Sequence, residues 1–166
     1  MARVARFTKV TRDRYIEDWK GIEENYNAAL IYDSIRQPKR ATVGSAGYDF
    51  FCPFGFELNP GDSITIPTGI RAEIQQGWVL MLYPRATLGF KYKLRLDNTT
   101  GVIDSDYFLS YNEGHIFIKV TNCGEKVIRM MAGDAFVQGV FLPFGITIED
   151  DTIVMRNGGI GSTDDF

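Results

Sequence analysis

The chain has 166 residues, 45% of them hydrophobic, and 18 basic against 21 acidic side chains give a net charge of −3. That length suits one domain, the apolar fraction excludes wholesale disorder, and no apolar run reaches the roughly 18 residues of a membrane-spanning helix. The acidic balance argues against a nucleic-acid surface, which needs a concentrated basic face, yet a few converging arginines could still meet a small anion. Met1 to Lys9 carries neither the apolar stretch nor the cleavage site of a secretory signal. Two cysteines, Cys52 and Cys123, fit a reducing compartment, so a cytoplasmic protein is expected. A single histidine, His115, with two distant cysteines argues against a zinc site of the usual ligand types.

Along the chain, Tyr15, Trp19, Ile22, Tyr26 and Leu30 recur at steps of four, three, four and four. This spacing predicts an amphipathic helix over 11–32, capped by Thr11 and packed on the body's core. Gly21 within it costs about 1 kcal/mol relative to Ala, so packing must hold the helix together. The run Arg36 to Arg40 reads as a solvated linker, because Pro38 cannot continue a helix.

Beyond residue 40 the period changes to two: Ile64 and Ile66, then Ile70, Ala72 and Ile74, then Ile116, Ile118 and Val120 alternate. The apolar run Trp78 to Tyr83 suits a strand buried on both faces. Glycine turns at short spacing, with no helical pattern between them, indicate an all-β barrel or jelly-roll. The expected organisation is a helical extension at 1–36, a β body at 37–155 and a Gly-rich tail at 156–166.

Four places can carry chemistry. Ala46-Gly-Tyr-Asp49-Phe is a glycine turn entering a strand with a carboxylate. At Tyr83-Pro-Arg85-Ala86-Thr87 a strand end delivers a guanidinium fork and a hydroxyl, both suited to phosphate oxygens. Leu94 to Tyr107 reads as a β-hairpin with a tight Asn98-Thr-Thr-Gly101 connection, whose peptide groups can read a flat ring by its edge. Asp104, beside Val102, Ile103 and Tyr107, is a partly desolvated carboxylate able to take a proton from water; Asp106 falls on the same strand face. In the tail, Gly158, Gly159 and Gly161 with Ser162 and Thr163 can turn N–H and hydroxyl donors toward an anion. His115 and the two cysteines read as structural. Together the four places suggest hydrolysis of a nucleoside triphosphate.

At this point the sequence resembles the trimeric dUTPase family, with five motifs in the family's order between about 38 and 163: Gly44 to Phe50, Pro84 to Thr87, Asn98 to Tyr107, Gly133 to Gln138 and Arg156 to Thr163. The resemblance implies a distorted jelly-roll homotrimer of the β-clip type, with sites built between subunits, that converts dUTP to dUMP and pyrophosphate with Mg²⁺. It implies Asp104 as general base for water attacking the α-phosphorus and Tyr107 as the ring that excludes a 2′-hydroxyl. Asn98, Gly101, Val102 and Ile103 would read uracil. Arg85, Thr87 and Gln138 would hold the phosphates, with the backbone at Ala86. Asp49 would support the Mg²⁺ shell or the hydrogen bonding of the site. Arg156, Ile160, Gly161, Ser162 and Thr163 would close as a lid.

Several positions depart from the family pattern. Ala86 stands where a serine is usual, Ala135 where an arginine is, and Phe108-Leu109 replaces Arg-Gly. Ile160 replaces a stacking ring, Arg156 is one residue closer to the glycines, and Asp164-Asp165 ends the tail. These departures motivate a second reading, a nucleotide-binding or regulatory relative with little catalysis. A dCTP deaminase-type enzyme is a third, weakened by the lack of a glutamate in the Asn98–Tyr107 segment.

Overall fold

A computed structural model describes residues 1–20, 22, 26–154, 156 and 158. The body is antiparallel β. Strands β2 (Lys39–Arg40), β3 (Tyr48–Phe51), β12 (Ala135–Pro143), β7 (Trp78–Pro84) and β9 (Gly101–Ile103) form the largest sheet, in that order. A second sheet orders β5 (Ser63–Pro67), β10 (Phe117–Asn122) and β8 (Leu94–Leu96). Two-stranded pairs join β1 (Ala5–Lys9) to β6 (Ile70–Ile74) and β4 (Phe56–Leu58) to β11 (Ile128–Met130). The all-β, jelly-roll-like architecture expected from period-two patterning is what the chain adopts.

The alternating residues fill one core. Ile66, Ile70, Ala72, Ile74, Ile116, Ile118 and Val120 are all buried, and Leu80, Leu82, Phe50 and Phe136 join them. Each large side chain so buried contributes about 1.5–3 kcal/mol. In β7 only Leu80 and Leu82 are buried, while Val79, Met81 and Tyr83 are half-buried. The strand is thus fully covered on one face, where its apolar run had suggested two.

The N-terminal region departs most from the expected single helix. It forms β1, then α1 (Arg12–Asp18) and α2 (Ala28–Ser34). Thr11 caps α1 as expected, its Oγ1 accepting from the Arg14 N–H at 3.3 Å. Asn27 starts a second helix by accepting from the Leu30 N–H at 3.1 Å, a start signal that outweighs the periodic stripe. Tyr15 and Trp19 enter the core, Tyr26 packs its ring 4.5 Å from that of Phe54, and Leu30 is left 68% exposed.

The segment Leu94 to Tyr107 is not a hairpin. Strand β8 bonds to β10, whereas β9 bonds to β7 in the other sheet. The Asn98–Thr100 connection, with Thr99 at φ 65°, is therefore a corner between sheets. Asp104 and Asp106 share no strand face either: Asp104 caps a 3₁₀ turn, Ser105–Leu109, and Asp106 lies within it. A short helix α3 (Ala86–Tyr92) follows β7.

Candidate active site

Because the corner splits two sheets, it opens a cavity of about 500 Å³ between them. Asn98, Gly101, Val102 and Ile103 line it, together with Asp104, Tyr107 and Arg156. The extended backbone of Asp104, at φ −77° and ψ 158°, starts the 3₁₀ turn without spending its side chain on a cap. Its carboxylate, half-exposed, accepts from Arg156 Nη2 at 2.7 Å, while Arg156 Nε donates to Asp106 Oδ1 at 3.2 Å. The guanidinium also lies 5.8 Å from the centre of the Tyr107 ring. One residue fewer before the glycines does not stop Arg156 from reaching this cavity.

Tyr107 is buried, its hydroxyl donating to the His115 carbonyl at 2.8 Å and accepting from Asn112 Nδ2 at 2.9 Å. Burial pushes its phenol up from its ordinary value. Across the cavity, Lys119 pairs with Asp97 at 3.1 Å. The Thr121 hydroxyl donates to Asp97 and, with Lys119, holds that carboxyl below its ordinary range.

A second group forms on the largest sheet. The β3–β12–β7 register sets Gln138 beside Asp49 on one side and Tyr83 on the other. A bulge in β12 skips Phe136, whose carbonyl accepts from the Arg85 N–H at 3.2 Å and so fixes the end of β7. Arg85 Nε lies 3.3 Å from Asp49 Oδ1, and Gln138 Nε2 donates to the Pro84 carbonyl at 3.4 Å. Gly47 is what admits the Gln138 amide, since a Cβ there would stand 2.5 Å from its Oε1. Ala86 and Thr87 are exposed at the start of α3.

The site residues expected from the sequence thus fall into two clusters: Asn98 to Tyr107 with Arg156 around the cavity, and Asp49, Arg85 and Gln138 on the sheet. Asp49, Arg85 and Gln138 do not line the cavity. Ile160, Gly161, Ser162 and Thr163 lie outside the described residues. Gly158 is described, its carbonyl accepting from Ser110 Oγ at 2.8 Å. Sequence reasoning missed Asp97, Ser110, Asn112 and Lys119. Of these only Lys119 carried a signal, as the outward position between the inward Ile118 and Val120.

Residues 33–163 match the dUTPase family. The chain belongs to that family. It is 41% identical over 132 residues to the deoxyuridine 5′-triphosphate nucleotidohydrolase of Lactococcus lactis, covering 78% of this chain and 88% of the relative. With the enzyme of the same name from Mannheimia succiniciproducens it shares 36% identity over 150 residues, 86% of this chain and 96% of the relative. The crystal structure of dUTPase from Streptococcus mutans superposes with a TM-score of 0.61 at 37% identity, covering 76% of this chain and 95% of that one. A point mutant of the dUTPase of phage phi11 of S. aureus, whose structure details the coordination of a structural Mg(II) ion, shares the fold at a TM-score of 0.64 and 18% identity, covering 92% of this chain and 98% of that one. As a dUTPase-family member the chain is a hydrolase of nucleotide metabolism. No helix among the described residues is long and apolar enough to cross a membrane.

Proposed function

We propose that the protein hydrolyses dUTP to dUMP and pyrophosphate, with Asp104 as general base. The observation that supports this best is the cavity that the Asp104 carboxylate and the buried Tyr107 ring both line, with Arg156 reaching each of them. Uracil enters the sheet corner and is read by the peptide groups of Asn98 to Ile103. The deoxyribose packs on Tyr107, which leaves no space for a 2′-hydroxyl. Asp104 takes a proton from a water whose oxygen bonds to the α-phosphorus; the bond from that phosphorus to the bridging oxygen breaks, and pyrophosphate leaves with the electron pair. Arg156 must first give up its carboxylate partners, and the arriving β- and γ-phosphates are the anions to take it. With Ile160, Gly161, Ser162 and Thr163 it then closes the 156–166 tail over the site and excludes bulk water. Arg85, the Ala86 backbone, Thr87 and Gln138 hold the phosphates.

The donor set fits an Mg²⁺ ion carried in on the triphosphate. Among the described residues no three acidic, histidine or cysteine side chains converge as a cage. Mg²⁺ usually keeps waters and substrate phosphates with one or two carboxylates, and Asp49 would support that shell or the hydrogen bonding of the site. When bound, the ion offsets the triphosphate charge.

Since Asp49, Arg85 and Gln138 stand apart from the cavity, each site is assembled from neighbouring subunits of a homotrimer. Exposed Phe144, Ile146 and Ile148 recur at every second residue after β12 and offer the apolar face for that contact. We read 1–36 as an extension on the 37–155 body, and the free Cys52 and Cys123 accord with a cytoplasmic setting.

Purified protein with Mg²⁺ should release pyrophosphate from dUTP in preference to dCTP, dTTP or UTP, and Asp104→Asn should lower kcat by roughly 10²–10⁴-fold. An unchanged rate in that variant sinks the mechanism. The hold of Arg156 on Asp104 favours one other reading, a nucleotide-binding relative with little turnover. Tight dUTP binding by calorimetry without pyrophosphate release would establish it.

A further inference from the structure

We propose that α1, which precedes the family match at residue 33, is a clamp that positions Tyr107, with Glu113, Asp18 and His115 as its positioning residues. The proposal rests on the reading that the Tyr107 ring packs against the sugar.

Among the described residues, the hydroxyl of Tyr107 is held by the segment that follows its turn: it donates to the His115 carbonyl and accepts from Asn112. Asn112 Oδ1 in turn accepts from the Gly114 N–H at 3.1 Å. Gly114, at φ 69°, is packed so closely on the turn that a Cβ would lie 2.7 Å from the Tyr107 carbonyl oxygen. Movement of residues 112–115 is therefore movement of Tyr107.

Both ends of α1 grip this segment. At its start, the Glu113 carboxylate accepts from the Thr11 N–H at 2.8 Å and from its hydroxyl at 2.7 Å. These bonds hold Glu113 in the left-handed region, at φ 61°, which a side chain seldom occupies unaided. At its end, Asp18 Oδ2 lies 2.6 Å from His115 Nδ1. The proton is on Nδ1, because Nε2 accepts from the Gly69 N–H at 2.8 Å. Asp18 is itself held by Arg14 at 2.7 Å. The imidazole is fully buried and Asp18 nearly so, where hydrogen bonds are stiff and their loss is costly. A helix fixed at both ends thus sets the position of the ring that lines the cavity.

The test uses the full-length protein, with the pair Asp18→Ala/Glu113→Ala, the milder Asp18→Asn should the pair fail to fold, and Arg12→Ala as control. Arg12 ties α1 to Asp33 and to the Ala29 carbonyl, not to the Tyr107 segment. In ligand-free protein, amide exchange over residues 105–115 should accelerate about tenfold in the clamp variants and hold steady in the control. The ratio of kcat/KM for dUTP over UTP should narrow about tenfold in the clamp variants alone, since a slack ring admits the 2′-hydroxyl. Unaltered exchange overturns the clamp, and faster exchange with an intact ratio overturns its role in sugar choice. Wild-type protein that turns over neither nucleotide defeats the hydrolase reading and the sugar-choice role with it, while the exchange measurement still decides whether α1 clamps Tyr107.

Discussion

Gly101 lines the cavity, yet its closest constraint is the opposite sheet partner rather than any ligand. In the β7–β9 register it faces Leu82, and a Cβ at 101 would stand 3.0 Å from both Leu82 Cβ and Cδ1 and 3.2 Å from Cγ. Leu82 is 2% exposed, and its Cβ is fixed by the β7 backbone, so no rotamer change carries that atom away. Overpacking of this kind costs about 1–3 kcal/mol. Because β7 is the only ladder partner of β9 among the described residues, part of that strain moves Val102, Ile103 and Asp104. Gly101→Ala should therefore lose both stability and turnover. Leu82→Ala alone should cost about 2–5 kcal/mol by opening a cavity. If the two residues compete for one space, the double variant should cost at least ~1 kcal/mol less than the sum and recover part of the turnover. Urea unfolding at one fixed protein concentration, with dUTP turnover on the same samples, reads both. Additivity within ~0.5 kcal/mol would refute the packing account. A raised KM with unchanged stability would make Gly101 a substrate contact alone.

Two further outcomes follow from buried titratable groups. Burial holds the His115 imidazole below its ordinary 6.5, with Asp18 opposing. Below that pH the unfolded chain binds a proton that the folded protein refuses, so this contribution is full above pH 6.5 and is lost on acidification. The slope reaches at most ~1.4 kcal/mol per pH unit. Urea midpoints between pH 7.5 and 5.5 should fall in the wild type and flatten in His115→Gln; a slope that survives the substitution contradicts the assignment. Burial likewise pushes the Cys52 thiol up to about 12, while Cys123 is exposed. A maleimide at neutral pH should modify Cys123 in the native protein and reach Cys52 only on unfolding, as peptide mapping would show.

Much of the fold was legible in the sequence because alternation reports a half-buried strand directly. Ile116, Ile118 and Val120 enter the core as their spacing requires, and the acid, amide and arginine of the candidate site were each identifiable as residue types. What remained hidden depends on pairing. The sequence around Asn98-Thr-Thr-Gly101 has every local mark of a hairpin, but strand partners are chosen by the whole sheet, and β8 and β9 go to different ones. That choice creates the cavity, since a true hairpin would have closed the space with its own ladder. The helix over 11–32 failed for a local reason instead, with Asn27 beginning a new helix. His115 reads as structural in both views, but its bond to Asp18 joins residues too far apart in sequence for any pattern to show.

The separation of the two clusters leads to a prediction about assembly. Arg85 meets Asp49 on the largest sheet, and Asp104 meets Arg156 at the cavity, with none of Asp49, Arg85 or Gln138 lining that cavity. On the proposed mechanism, the carboxylate that activates water and the arginine that holds the same triphosphate must nonetheless lie within one nucleotide's reach. A neighbouring copy in a closed ring would supply that proximity, because each interface would then present the sheet of one subunit to the cavity of the next. Asp104→Asn and Arg85→Ala subunits should each be nearly inactive alone. Unfolded together and refolded as a random one-to-one mixture, each subunit of a pair is intact for its own contribution half the time. About a quarter of the sites should then be whole. Pyrophosphate release near a quarter of the wild-type rate therefore places the two residues on different subunits. If every site instead takes both from one chain, the mixture stays as inactive as its parents.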